Sequence, residues 1–389
     1  MNLSNRMGKL SGEGAFEVLV RAQALERQGR SIIHLEIGQP NFATPDHIVD
    51  AAIKALHEGK TKYVAPLGIP ELRAAIAEDF RKTRGIRIAM DNVLVTPSPK
   101  TAIFVAMQAT LEPGDEVIYP NPGFPTYEIL IRYFGGTPKP VPLLEERGFS
   151  FDLNAFEKLL SPKTKMVILN SPSNPTGGVM PHEDFVAIAL LLSRYPSCWI
   201  LSDEIYAKIL YDNIQHESIM GLPNMAQRTL VIDGCSKAYA MTGWRLGHLI
   251  FPSEFRDPMN YLATHMFSCT SSFSQYAALA AYEGTQEPLH HMVGEFQKRR
   301  DCIIPLLNEI PGMRCHMPQG AFYAFPNVQS FHKPSAELAQ FLLDTAGVAL
   351  LGGTAFGEYG EGYLRLSYAN SLENIEEGIR RIKSALAKP

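Results

Sequence analysis

The chain has 389 residues, of which 46% are hydrophobic and 20% are charged, and its formal net charge is −4. This composition is that of an ordinary globular protein, and the small negative charge argues against a broad basic surface for nucleic acid. Because a single hydrophobic core rarely grows beyond about 250–300 residues, we expect two domains.

The sequence also argues against a membrane segment, a secretory leader and a metal site. Its longest apolar stretches, such as 187–192, are too short to span a bilayer, and residues 1–16 lack the apolar core of a signal peptide. The five cysteines are scattered without a C-x-x-C pair, which favours reduced thiols and a cytoplasmic location. His290 and His291 are adjacent, so on a helix they would point in different directions and would not share a metal.

In chain order, strand-like and helix-like patterns alternate from a helix expected near 15–28 to about residue 272. Short apolar runs predict strands at 92–96, 116–120, 139–143, 165–170, 198–204, 229–234 and 245–251. Helical patterns that lie between several of them occupy 100–111, 127–134 and the segment from His182. Such strands predict a mostly parallel sheet covered on both faces, which is a three-layer α/β arrangement. The last strand follows its predecessor after a short connection, so we expect it to be antiparallel.

After about residue 272 the pattern changes to helices with a few short strands. The expected elements are strands at 312–317, 320–326 and 362–368, a helix from Ser335 and an amphipathic helix at 371–388. This predicts a smaller α+β domain, against which the N-terminal helix would pack. We therefore expect a large domain at 45–280 and a discontinuous small domain formed by 1–44 and 281–389.

Polar residues follow the predicted strands at their carboxyl ends, where ligands bind in sheets of this kind. They are Ser98, Lys100, Asn170, Asn174, Asp203, Ser236 and Lys237. An amine, a carboxylate, amides and hydroxyls would therefore meet in one crevice. This set suits pyridoxal phosphate, which needs an amine for a Schiff base, an acid at its ring nitrogen, a donor to its phenolate oxygen and an anion site for its phosphate.

Three segments resemble the signature stretches of class I, fold-type I aminotransferases: NSPSNPTGG (170–178), LSDEIY (201–206) and GCSKAYAMTGWRLG (234–247). Further similarity to the bacterial aspartate aminotransferase-like subgroup occurs at 37–45, 63–73, 114–127 and 363–371. The resemblance runs from about residue 30 to the C-terminus. It implies a pyridoxal-phosphate enzyme that moves an amino group between an L-amino acid and a 2-oxo acid in two ping-pong stages. Glutamate and 2-oxoglutarate would form one of its substrate pairs.

The resemblance implies a role for each residue around the cofactor ring. Lys237 would form the Schiff base and carry the α-proton, and Asp203 would pair with the ring nitrogen. Tyr206 and Asn174 would both donate to the 3-oxygen of the ring. Without a ligand, these four would be a surface lysine, a helix cap, a core tyrosine and part of a turn.

The resemblance also implies an anion site for the cofactor phosphate. The groups expected there are Arg245, Ser236, Ser98, Lys100 and Thr101, the last three at a helix N-terminus. Pro99 removes one backbone donor from this turn, so the group that replaces it stays open. Tyr63 resembles a tyrosine that reaches the phosphate of a neighbouring subunit, so we expect a homodimer with shared active sites.

The substrate would lie between the cofactor and a second group of residues. Phe124 would stack on the cofactor ring, with a core phenylalanine as the alternative. Arg365 would clamp the α-carboxylate with its two-pronged guanidinium, beside Asn174. Gly38 would contribute its backbone, and its missing side chain would leave room for substrate.

The preferred substrate side chain stays open between acidic, apolar and aromatic groups. Lys100 resembles a lysine that helps to bind a distal carboxylate in some dicarboxylate-using relatives. Glu13 would repel an acidic side chain if it pointed inward, and Phe16 could favour an apolar or aromatic one.

Two alternatives to amino transfer also stay open. A carbon–sulfur β-lyase could use the same lysine, aspartate and arginines, although the 170–178 and 234–247 segments favour transfer. A non-enzymatic regulator domain of this type would carry an added winged-helix module, whereas about thirty residues that are not basic precede the family-like region. We therefore expect an enzyme that acts on small amino and oxo acids.

Overall fold

The structure is a computed structural model that describes residues 3–387. Its helices are α1 (Gly14–Arg27), α2 (Asp46–His57), α3 (Pro70–Arg84), α4 (Pro99–Thr110), α5 (Thr126–Tyr133), α6 (Leu153–Leu159), α7 (His182–Leu192), α8 (Cys235–Ala238), α9 (Arg256–Met266), α10 (Ser272–Glu283), α11 (Glu287–Asn308), α12 (Ser335–Ala346) and α13 (Leu372–Leu386). Its strands are β1 (Ile33–His34), β2 (Val93–Thr96), β3 (Glu116–Asn121), β4 (Thr137–Leu144), β5 (Ser150–Phe151), β6 (Thr164–Asn170), β7 (Trp199–Asp203), β8 (Thr229–Gly234), β9 (Gly247–Ile250), β10 (Tyr323–Ala324), β11 (Val348–Ala349), β12 (Leu351–Gly352) and β13 (Leu364–Ser367).

The largest sheet in the described part of the chain has eight strands in the order β2-β9-β8-β7-β6-β3-β4-β5. From β8 through β7, β6 and β3 to β4, each neighbouring pair is parallel. Strand β9 is antiparallel to both β2 and β8, and β5 is antiparallel to β4. The mostly parallel sheet and the antiparallel strand within 245–251 are therefore confirmed.

The sheet is covered on both faces, because alternate side chains of its strands enter different cores. Val117 and Tyr119 pack with residues of α4, α5 and α9, whereas Ile118 between them packs with residues of α6 and α7. Near the other edge, Leu94 joins the first of these cores, while Val95 packs with residues of α2, α3 and α10. These cores form the predicted three-layer arrangement.

The remaining strands form two small sheets with the C-terminal helices. Strand β13 lies between β10 and β12 and is antiparallel to both, and β1 pairs in parallel with β11. Helix α1 packs here, since Ala22 contacts Leu343 and Ala349. The division into domains at 45–280 stays a prediction. Residues 1, 2, 388 and 389, which the predicted small domain includes, lie outside the described residues.

One predicted strand, 312–317, is wrong. Only Arg314 in this segment makes a β-bridge, to Asn327. The backbone of Cys315 instead bonds to the side chain of Asn308, with its N–H donating to Oδ1 at 2.8 Å and its carbonyl accepting from Nδ2 at 3.1 Å. A helix side chain therefore satisfies the groups that a strand neighbour would otherwise pair.

Two glycines allow the start of α4 to approach the ends of β8 and β9. A Cβ on Gly247 would lie 2.5 Å from the Pro99 nitrogen and 2.8 Å from the Ser98 carbonyl carbon. A Cβ on Gly234 would lie 2.8 Å from the Gly247 Cα. Because backbone atoms cannot yield as a flexible side chain can, glycine is needed at both positions. The N-terminus of α4 is thereby held at the edge where β2, β7 and β8 end.

The described residues also bear on membrane, metal and thiol chemistry. Between residues 3 and 387, no helix combines the length and the apolar character needed to cross a bilayer. Within the same residues, no three or more His, Cys, Asp or Glu side chains are grouped to hold a metal ion. The five cysteines are all free thiols.

Candidate active site

A cavity of about 430 Å³ lies at the carboxyl ends of β2, β6, β7 and β8. The predicted site residues that line it are Gly38, Ser98, Lys100, Phe124, Asn174, Asp203, Tyr206, Ser236, Lys237, Arg245 and Arg365. Two predicted residues are not in its lining. The backbone N–H of Thr101 donates to Ser98 Oγ at 3.0 Å, and Tyr63 lies on the surface with 87% of its area exposed.

Lys237 lies in α8, directly after β8, and its amine enters the cavity. Its Nζ donates to the carbonyl of Gly38 and lies 5.9 Å from the Tyr206 ring centroid and 5.8 Å from that of Phe322. Desolvation, followed by the charge of Arg365, lowers the pKa of Lys237 to about 8. An amine with this pKa is partly neutral near pH 7–8, so it can act as a nucleophile and carry a proton.

Asp203 ends β7 and is buried, with 4% of its area exposed. Its Oδ2 accepts a hydrogen bond from Tyr127 Oη at 2.7 Å, and its Oδ1 accepts one from the N–H of Ile205 at 3.2 Å. Desolvation raises the pKa of Asp203 to about 6, although the bond from Tyr127 opposes this shift. A cation beside this carboxylate would favour its charged form. The site therefore suits a ligand with a protonated ring nitrogen.

The hydroxyls of Tyr206 and Tyr323 lie 2.7 Å apart at the floor of the cavity. Tyr323 belongs to β10, and a Cβ on Gly38 would collide with its hydroxyl. The room left by the missing side chain of Gly38 is thus filled by Tyr323. We expected from the sequence that substrate would occupy this room, and Tyr323 was not among the predicted site residues.

Arg365 presents an unused donor inside the protein. Its guanidinium lies between the rings of Tyr323 and Phe356, with centroids at 4.7 and 4.8 Å. Its two Nη atoms donate to Asn174 Oδ1, at 3.3 Å, and to the carbonyl of Glu36. Its Nε is buried and has no hydrogen-bond partner in the described residues. Because buried donors are seldom left unpaired, this atom is available to an anionic ligand.

A second group of unused donors lies where α4 begins. The Ser236 hydroxyl is buried and has no partner in the described part of the chain. Arg245, which also lines the cavity, has a left-handed backbone with a φ of 55°. Pro99 is at the first position of α4, where a backbone N–H would not be used within the helix anyway. A bound phosphate would therefore meet the Ser236 hydroxyl, the guanidinium of Arg245 and the positive end of α4.

An ion pair and an aromatic ring also line the cavity, beside the first turn of α4. Lys100 Nζ lies 2.5 Å from Glu13 Oε2 and 5.2 Å from the ring centroid of Phe124. Phe124 packs edge-on against Tyr127, with centroids 5.7 Å apart and planes at 84°. Glu13 therefore points toward the cavity, and it partly neutralises Lys100.

Together, the sheet and the crevice define a three-layer α/β protein in which a half-buried lysine, a buried carboxylate and two groups of donors that are unpaired among the described residues surround one cavity. The model of the family "Aminotransferase class I and II" matches residues 30–382. The chain belongs to this family, and it is a fold-type I aminotransferase of the aspartate aminotransferase subgroup. Enzymes of this family use pyridoxal phosphate. The family resemblance and the expected enzyme class are thereby confirmed.

Individual relatives match over nearly the whole chain. The aspartate aminotransferase of Rhizobium meliloti (strain 1021) is 37% identical over 391 residues, which cover 97% of this chain and 95% of that protein. A crystal structure of the aspartate aminotransferase from Rhizobium meliloti matches with a TM-score of 0.95 and 36% identity over 99% of both chains. An alanine aminotransferase from Pyrococcus furiosus matches with a TM-score of 0.94 and 32% identity over 100% of both.

Proposed function

We propose that this aminotransferase holds pyridoxal 5′-phosphate on Lys237 and exchanges an amino group between an L-amino acid and a 2-oxo acid, with glutamate and 2-oxoglutarate as one pair. The observation that carries the proposal is the desolvated Lys237 amine in a cavity that also contains the unpartnered donors Ser236 Oγ and Arg365 Nε. One donor suits a phosphate and the other a carboxylate. When bound, the cofactor supplies an electron-accepting ring that makes the α-hydrogen of the amino acid acidic.

The residues around the ring would divide the work of proton transfer. Lys237 Nζ would hold the cofactor, and after its release by substrate it would move the proton at the substrate Cα. Asp203 would keep a proton on the ring nitrogen, and the hydrogen bond from Tyr127 would fix the orientation of its carboxylate. Tyr206 and Asn174 would donate to the 3-oxygen of the ring.

Binding and orientation would fall to residues at the edges of the cavity. The phosphate would contact the guanidinium of Arg245, the hydroxyls of Ser236, Ser98 and Thr101, and the backbone N–H of Lys100, whose side-chain amine pairs with Glu13 instead. Phe124 would stack on the ring and exclude water from it. Arg365 would hold the α-carboxylate, and its existing contact with Asn174 would keep both donors on that side. Gly38 would contribute its backbone, which already accepts from Lys237.

A second copy of the chain would complete the phosphate site. Tyr63 lies outside the cavity of its own chain, with its ring almost wholly in solvent. We propose a homodimer in which Tyr63 reaches the phosphate bound by the neighbouring subunit. A Tyr63→Phe variant would then bind the cofactor more weakly while Lys237 remained available.

The substitution Lys237→Ala tests the proposal. The variant should lose the visible absorbance of the bound cofactor, the borohydride-trappable adduct and nearly all turnover. Lys298→Ala is a matched control, because Lys298 is an exposed lysine that, among the described residues, pairs only with Glu295 on its own helix. Normal transamination by Lys237→Ala would overturn the assignment.

A donor panel distinguishes the proposal from its main rival. Amino acids would be tested against 2-oxoglutarate, oxaloacetate and pyruvate, with the half-reactions followed by absorbance. Glutamate should convert the enzyme to its amine form. Failure of that conversion would remove glutamate from the proposed pair. Release of pyruvate and ammonia from cysteine conjugates without an oxo acid would instead identify a lyase.

A further inference from the structure

The ion pair between Glu13 and Lys100 connects the N-terminal segment to the substrate cavity. Lys100 Nζ is 2.5 Å from Glu13 Oε2, and both residues line the cavity. Glu13 is the N-cap residue of α1, yet its side chain makes no capping hydrogen bond. Its carboxylate therefore forms part of the cavity wall and does not cap its own helix.

The charge of Glu13 also reaches the deep end of the cavity. Desolvation lowers the pKa of Lys237 to about 8 and lowers the pKa of Arg365, and the charge of Glu13 opposes both shifts. Because such effects weaken with distance, Glu13 lies within electrostatic range of the atoms that would bind a substrate.

The described lining of the cavity has few positive charges that remain unpaired and could bind a second substrate carboxylate. The cations in its described lining are Lys100, Lys237, Arg245 and Arg365. Under the proposed function, Arg365 pairs with the α-carboxylate, Arg245 pairs with the phosphate, and Lys237 reacts with the cofactor. Of these described cations, Lys100 remains, and Glu13 already neutralises it.

We propose that Glu13 is a specificity-determining residue that favours amino acids with uncharged side chains. The inference rests on the proposed function. A second substrate carboxylate must either displace Glu13 from Lys100 or lie beside it, and both arrangements cost electrostatic energy. An uncharged side chain meets no such cost and packs against Ala15, Phe16 and Phe124, which line the same cavity.

The size of the effect follows from the exposure of the pair. The side chains of Glu13 and Lys100 are 29% and 47% exposed, so water screens their charges. We therefore expect at most about fivefold discrimination against dicarboxylates rather than their exclusion. A dicarboxylate such as 2-oxoglutarate binds by displacing Glu13 from Lys100.

Binding measurements on the cofactor-loaded enzyme test this inference. Succinate and butyrate have the same carbon skeleton length but carry two carboxylates and one, and their Kd values would be measured by titration calorimetry. Glu13→Gln should lower the Kd of succinate by up to about fivefold. The Kd of butyrate should change by less than about twofold, because its single carboxylate belongs at Arg365.

Two further variants separate a local effect from a general change in charge. Glu17→Gln removes the same charge from the same helix, but Glu17 does not line this cavity, so the ratio of the two Kd values should not change. Lys100→Gln should weaken succinate binding more in the Glu13→Gln background than in the native chain, because only there is Lys100 free of its partner.

The outcomes are distinct. An unchanged succinate-to-butyrate ratio in a folded Glu13→Gln enzyme overturns the inference, as does an equal change in Glu17→Gln. Equal strengthening of both ligands also overturns it, since it would indicate a wider cavity rather than a released cation. If the native enzyme binds no cofactor and transfers no amino group, the proposed function fails instead.

Discussion

Two neighbouring carboxylates, Asp203 and Glu204, are both buried at the end of β7, and their pKa values shift in opposite directions. Desolvation raises the pKa of Asp203 to about 6, whereas the pKa of Glu204 is lowered to about 2. Desolvation opposes the second shift, but the charges of Arg84 and His216 exceed it. Burial alone therefore does not decide the charge state of a carboxylate.

The difference lies in the partners that the protein supplies. Glu204 accepts hydrogen bonds from Arg84 at 2.6 Å, from Ser202 at 3.0 Å and from His216 at 2.9 Å. Arg84 also donates to Asp233 at 2.7 Å. Asp203, in contrast, has no ion pair among the described residues, and it lines the cavity. A buried carboxylate that the protein pairs with a cation has a structural role. A buried carboxylate without such a partner is available to a cationic ligand.

The largest expected effect is on catalysis, from Asp203→Asn. Loss of the acid at the ring nitrogen should reduce kcat about 10²–10⁴-fold, as for other lost acid–base groups. At pH 7 the cofactor-free variant should be more stable by about 1–3 kcal/mol, because a buried charge without a cation is removed. Turnover assays and chemical denaturation would measure both. A variant that lost stability but kept its rate would show that Asp203, like Glu204, has a structural role.

The next largest effect is on stability, from Glu204→Gln. Removal of one partner of a buried ion pair should lower the free energy of unfolding by about 3 kcal/mol. The remaining activity, measured below the unfolding transition, should fall far less than in Asp203→Asn. Because the pKa of Glu204 is depressed, its contribution is present above about pH 4.5 and is lost as the pH falls toward 2. A variant as stable as the native chain would contradict the structural role.

Tyr127→Phe should have a smaller effect that is confined to the ligand-facing carboxylate. The hydroxyl of Tyr127 lowers the pKa of Asp203, so its removal should raise that pKa further in the cofactor-free protein. The rate should fall about fivefold to tenfold, which corresponds to one hydrogen bond. The pH dependence of cofactor absorbance would report the change. An unaltered profile would show that Tyr127 does not act through Asp203.

The smallest effect concerns a half-buried pair, in which His34 Nδ1 lies 2.7 Å from Glu36 Oε1. The hydrogen bond with Glu36, opposed by desolvation, raises the pKa of His34 to about 9. A raised pKa means that this stabilisation is complete below pH 6.5 and is lost as the pH rises through 9. His34→Gln should therefore flatten the fall in stability between these values, by about 1 kcal/mol or less. An unchanged pH dependence would exclude this pair as its source.

The sequence predicted those parts of the fold and site that depend on local pattern. Apolar runs located the strands of the large sheet, and the rule for strand ends brought Asp203, Asn174 and Lys237 to one crevice. Tyr127 and Tyr323 could not be found this way, since they reach the crevice from α5 and β10, whose positions depend on tertiary packing. The roles assigned to the cavity residues stay predictions.

Two residues that the sequence predicted at the cofactor, Thr101 and Tyr63, lie outside the cavity lining in the structure. The N–H of Thr101 donates to the hydroxyl oxygen of Ser98, so it takes part in the N-terminal cap of α4. Tyr63 is exposed on the single chain, and its proposed contact with a second copy depends on an interface that local sequence pattern does not describe. For Gly38, the sequence indicated that space is needed beside the backbone. Only the position of β10 shows that Tyr323 occupies this space.

The residues that we propose to select a substrate side chain belong to a different part of the chain from those that we propose to perform the chemistry. Glu13 and Phe16 precede or begin α1, whereas Asp203 and Lys237 follow strands of the large sheet. Mutations in the first segment can therefore accumulate without disturbing the sheet. Changes in a short stretch of N-terminal sequence could therefore alter which substrates are used, while the residues proposed for the reaction stay the same.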